Sequence, residues 1–133
     1  MFPRRAATLY ADVLEIMKRP VAVTVVGVLF ILVGVVSTVM HMLEFRAHPP
    51  TWAMAVGICA VGVLGVVAGL YLLQGENWAR WLALLWMAFH VAISVFDPVG
   101  VLVFHAALFV FFAYILLGRE ARAYFHWEDS GAA

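Results

Sequence analysis

Four long apolar runs, separated by short polar breaks, organise this chain; they cover residues 20–43, 52–73, 78–96 and 98–117. At 1.5 Å per residue, runs of roughly 19–24 residues each reach across a hydrocarbon layer about 30 Å thick. Strands of a membrane barrel would be about half as long and would alternate apolar with polar side chains, which these runs do not. In lipid the N–H and C=O groups of a crossing segment have to be satisfied within it, so the runs are expected to be helices. The connections are short, which makes consecutive helices antiparallel neighbours. The expected fold class is therefore all-α: a four-transmembrane-helix antiparallel bundle, one domain over residues 1–127.

The breaks carry helix punctuation. Pro20 after Arg19 suits the first turn of span one. Thr51, following Pro49-Pro50, is an expected N-cap for span two. Gly75 can close span two in a left-handed conformation, and Asn77 is expected to cap span three. Asp97-Pro98 reads as an N-cap followed by proline at the first helical position of span four. Ahead of span one, Leu9, Val13, Ile16 and Met17 recur at helical spacing against Arg5, Asp12, Glu15 and Lys18. That pattern predicts a short interfacial amphipathic helix over about residues 4–18. The apolar run behind it is too long for a secretory leader, and no small-residue cleavage pattern follows it near His41, so the segment is expected to be retained. Residues 128–133, acidic and small, are expected to form a disordered tail.

Composition narrows the class further. Apolar residues are 66% of the chain and charged residues 12%, too few polar groups to cover a surface in water. Eight Lys/Arg against eight Asp/Glu leave no basic field for nucleic acid. Cys59, the single cysteine, excludes an internal disulfide and a cysteine-rich zinc site. Arg4, Arg5, Lys18, Arg19, Arg80, Arg119 and Arg122 all lie on one side of the four spans, with only Arg46 on the other. By the positive-inside rule both termini are cytoplasmic, in what the pattern predicts to be a bacterial inner (plasma) membrane. Trp78, Arg80 and Trp81 at the span two–three turn are expected to sit in the lipid interface, the arginine snorkelling to the headgroups.

Two features point beyond architecture. Gly62, Gly65 and Gly69 share one face of span two, and Gly27 and Gly34 share a face of span one. Small residues let backbones approach, so these are expected packing positions, either between the two spans or along a homo-oligomeric seam. The second feature is a set of polar groups in the half of the membrane away from the termini. His90, Ser94 and Asp97 fall at i, i+4 and i+7 on span three, and His105 lies seven residues past Pro98 on span four. Both rings are thus about 9–10 Å below the outer boundary. His41, between Met40 and Met42, closes span one at the same side. Ionisable groups at such depth are costly and usually have partners or a task.

Several chemistries suit these residues. His90 and His105, with His41 as a third ligand, could hold a transition metal, or the first two a haem. His90, oriented by Asp97, could carry a proton in a small oligomeric proton-coupled transporter. A pocket around His90, His105, Ser94, Asp97 and His41 could accept a small or lipid-like ligand. The blander alternative is interhelical hydrogen bonding alone. No phosphate loop, nucleophile elbow, HExxH or buried pair of carboxylates at catalytic spacing occurs. Length and span count are similar to those of the small multidrug transporters, whose first span carries a buried glutamate; here span one has none before Glu44 at its outer end. The expected role is a non-enzymatic membrane binding or accessory subunit, with membrane lipids around it and either copies of itself or a larger membrane complex as partner.

Overall fold

The chain is an integral membrane protein built on four helices long and apolar enough to cross a bilayer. The computed structural model describes residues 7–9 and 19–131, with side chains to residue 125. The helices are α1 (Val21–Ala47), α2 (Trp52–Leu73), α3 (Asn77–Ile93) with a 3-10 turn at Ser94–Phe96, α4 (Val99–Leu117) and a shorter α5 (Arg119–Gly131). No strand occurs among the described residues. The expected interfacial helix at residues 4–18 lies outside the described residues, except that 7–9 are helical.

The helix ends follow from local chemistry. The Thr51 hydroxyl accepts from the Met54 N–H at the start of α2. Gly75 stands at φ +84°, with its N–H on the Leu72 carbonyl and that of Glu76 on Tyr71, the left-handed closure that glycine permits. α1 runs on to Ala47, past the end of the apolar run, because Glu44 and Arg46 interrupt hydropathy but not helical geometry. It stops where His48 precedes Pro49-Pro50. Two caps differ from expectation. Glu76, not Asn77, flanks α3, and it makes no side-chain cap. Pro98, not Asp97, is the N-cap of α4: its carbonyl accepts from Val101 and Leu102, whereas Asp97 is extended (ψ 171°) and exposed.

α1 packs chiefly on α2, while α3 lies against both α2 and α4; contact between α1 and α4 is sparse. The α1–α2 seam is built on absent side chains. A Cβ on Gly69 would stand 2.5 Å from the Gly27 carbonyl oxygen, and one on Gly34 2.7 Å from that of Gly62. Two glycines seven residues apart on each helix thus meet in antiparallel register and bring the backbones together. A Cβ on Gly62 would strike the Thr38 hydroxyl, which itself donates to the Gly34 carbonyl at 2.7 Å. The glycine faces are consumed within one chain at these positions and are not open to a second copy. Gly65 serves a different neighbour, the Trp86 ring of α3, 3.2 Å from where its Cβ would be.

At the end of the bundle carrying Gly75 and Gly118, hereafter the Arg80 end, α5 turns across the other helices. Tyr124 Oη donates to the Leu73 carbonyl and Arg122 Nε to that of Leu117, covering free carbonyls at the ends of α2 and α4. Phe125 is fully buried, and the Arg80 guanidinium lies between its ring and that of Trp81, 5.7 and 5.3 Å from the centroids. Trp78 and Trp81 are exposed, but Arg80 is only 7% exposed. The arginine is therefore packed beneath α5, not extended to headgroups. α5 also takes in residues 128–131, expected to be tail; Ala121, Tyr124 and Phe125 give it a single apolar face.

Candidate functional site

The polar residues at the opposite end, the Asp97 end, are organised by a ladder along one face of α3. Trp86, His90 and Ser94 stand four residues apart, so their side chains share that face. Trp86 Nε1–H donates to the Val61 carbonyl of α2 at 2.7 Å. Gly65 makes this possible: a side chain there would crowd the indole that reaches the carbonyl one turn earlier. His90 Nδ1 lies 2.8 Å from the Trp86 carbonyl, and Ser94 Oγ 2.7 Å from the His90 carbonyl. Ser94 Oγ also lies 2.7 Å from His105 Nδ1, which ties α3 to α4. Ser94 is 1% exposed, so each of these bonds matters: a buried unmade bond costs on the order of 1–3 kcal/mol.

Proton counting fixes both imidazoles. The Trp86 carbonyl can only accept, so His90 carries its hydrogen on Nδ1. Ser94 has one hydroxyl hydrogen, and it points at the His90 carbonyl, which likewise only accepts. His105 Nδ1 must then donate to Ser94 Oγ. In their neutral forms both rings are left with an Nε2 lone pair. Neither Nε2 has a hydrogen-bond partner among the described residues, and neither is among the buried atoms left unsatisfied. The ring centroids are 6.0 Å apart.

Both rings line a cavity of about 450 Å³ between α1, α3 and α4. Its inner wall is aromatic. Phe30 packs on Trp86 and on Phe112, with centroids at 5.2 and 5.5 Å, and the Trp86 and His90 rings meet at a tilt with centroids 3.8 Å apart. Leu29, Val33 and Phe104 are exposed on the lipid-facing side, where the sparse α1–α4 contact leaves the cavity open. Ser37 of α1 adds a hydroxyl with no hydrogen-bond partner among the described residues.

Of the residues expected at the site, His90, Ser94 and His105 come together and two others do not. Asp97 is exposed and does not orient His90; the Trp86 carbonyl does. His41 is absent from the cavity wall, stacks on Phe45 and lies 3.6 Å from Glu44. Two imidazoles can offer two nitrogens to a transition-metal ion such as zinc or copper. Among the described residues no third His, Cys, Asp or Glu completes such a group. Trp86, Phe30 and Ser37 were not anticipated. A signal existed for Trp86: it stands about 14 Å along α3 from Asn77, far from the interface where tryptophan usually sits, and one turn before His90. No protein-family model, no curated protein and no solved structure matches the chain.

Proposed function

We propose that this protein is a small membrane binding or accessory subunit whose cavity at the Asp97 end receives a small or lipid-like ligand from the bilayer. One observation carries the reading: two anchored imidazoles, each with an unengaged nitrogen, line a 450 Å³ cavity that is otherwise almost wholly apolar and opens toward lipid. Known ligand sites have this size and make-up, an apolar lining with few placed polar groups. The distribution of basic residues supports a plasma-membrane orientation with the Arg80 end cytoplasmic, so that ligand enters from the outer leaflet. A larger membrane partner is part of the proposal, since a bundle this small encloses no path across the bilayer by itself.

The test uses octylbenzene as a cavity probe, with protein in nanodiscs compared against empty nanodiscs. Saturable uptake of about one probe per chain is expected, lost in Leu108→Trp, which fills the cavity. Uptake equal to that of empty discs would reject the reading.

A further inference from the structure

The ladder determines which chemistry the cavity can recognise. Resting on the cavity reading above, we infer that the ligand is a neutral, membrane-soluble aromatic alcohol, with a phenol- or hydroquinone-type headgroup, in which each O–H donates to the Nε2 of one of the two rings, His90 or His105.

The argument begins with the tautomers. Because carbonyls and a spent hydroxyl hold both Nδ1–H groups, each ring meets the cavity as an acceptor only. A ligand whose polar atoms are carbonyl or ether oxygens finds no donor on either ring. The Ser37 hydroxyl is the other polar group on the wall. A ligand bearing O–H groups completes what the rings lack. Charge decides the next step. No carboxylate lines the cavity, so an ammonium donor would bring an uncompensated charge into an apolar space. The donor is accordingly neutral.

The walls select the body of the ligand. Phe30, Trp86, Phe104 and Phe112 present four aromatic side chains, which favour an aromatic ring in offset or edge contact. The volume holds a substituted ring, and an alkyl substituent can leave past Leu29 and Val33 into the acyl chains. At the two imidazoles such a site discriminates a hydroquinone from its quinone by hydrogen count: the first has two O–H donors and the second has none, which leaves the quinone the Ser37 hydroxyl only. Only binding is implied, with no electron transfer at the site.

The experiment compares 4-octylphenol with 4-octylanisole, which differ by one methyl group on the oxygen and hence by the donor. Protein labelled with ¹⁵N-histidine is titrated in nanodiscs. Without ligand, both rings are expected to show a protonated Nδ1 and an unprotonated Nε2. Octylphenol, with its single O–H, is expected to shift the Nε2 resonance of the ring it bonds and to bind roughly tenfold tighter than the anisole, the ratio that a hydrogen bond of ordinary net strength gives. Ser94→Ala is expected to release the His105 tautomer and lower that ratio. Equal affinities with unmoved Nε2 signals, or an Nε2–H tautomer in the free protein, would overturn the inference while leaving a cavity that selects by shape. Saturable binding of neither compound would take down the cavity reading as well.

Discussion

The two hairpins of this bundle are held together by opposite means. Between α1 and α2 the contact is made by what is missing: Gly27 meets Gly69 and Gly34 meets Gly62, and the helices close until backbone touches backbone. Between α3 and α4 it is made by what is present, a serine bridging a carbonyl to an imidazole. The first arrangement leaves no space and no unused polar atom at the contact. The second leaves both an open volume and two unengaged nitrogens. In lipid, where apolar surface gains nothing by being hidden from the chains, close packing and hydrogen bonds are the two available sources of association. This protein uses one for a rigid pair and the other for a pair with room between its side chains.

The largest predicted effect comes from filling the glycine seam. Gly69→Leu places a side chain against the Gly27 carbonyl and should cost about 3 kcal/mol. Gly57→Leu, where nothing lies within 4 Å of the new Cβ, should change stability by less than about 0.5 kcal/mol. Detergent-induced unfolding followed by circular dichroism measures both, and equal losses would remove the distinction between the two helix faces. Next comes the polar hairpin. Ser94→Ala strands the His105 Nδ1–H and should cost about 1–2 kcal/mol in the same assay. A neutral result would mean that the ladder does not hold α4. Trp86→Phe keeps an aromatic ring beside Phe30 but loses the bond to Val61, for which about 1 kcal/mol is expected. Smallest is a coupling: Gly62→Ala should be destabilising, and Thr38→Ala in the same chain should recover roughly 0.5–1 kcal/mol by removing the hydroxyl the new methyl meets. Strictly additive effects would show that the clash is relieved elsewhere.

What could be read from the sequence tracks the physics behind each feature. The four spans were legible because hydropathy over about twenty residues outweighs every local preference. Span two was placed at its observed ends, Trp52 and Leu73, since Thr51 and Gly75 punctuate both sides. α5 is not legible in the hydropathy because its polar composition hides a one-sided apolar stripe of Ala121, Tyr124 and Phe125 that docks on the bundle. The histidine pair was visible as two rings at equal depth about the Asp97-Pro98 turn. The roles of its neighbours were not. Asp97 shares the helical face by spacing, but the chain leaves helical geometry at Ser94–Phe96, so spacing no longer governs where its carboxylate goes. The burial of Arg80 is hidden for a related reason: it depends on Phe125 of α5, forty-five residues later in the chain.

The ladder from Val61 to His105 also limits charge movement through the protein. Three of its acceptors are amide carbonyls, the Val61, Trp86 and His90 oxygens, and an amide oxygen that takes up a hydrogen bond has no hydrogen of its own to hand forward. A proton on His90 meets the Trp86 carbonyl, and one passed from His105 to Ser94 meets the His90 carbonyl, so neither travels on along α3. The ladder by itself is therefore no proton wire, and the Nε2 atoms it leaves unengaged are the positions at which the imidazoles can exchange hydrogen.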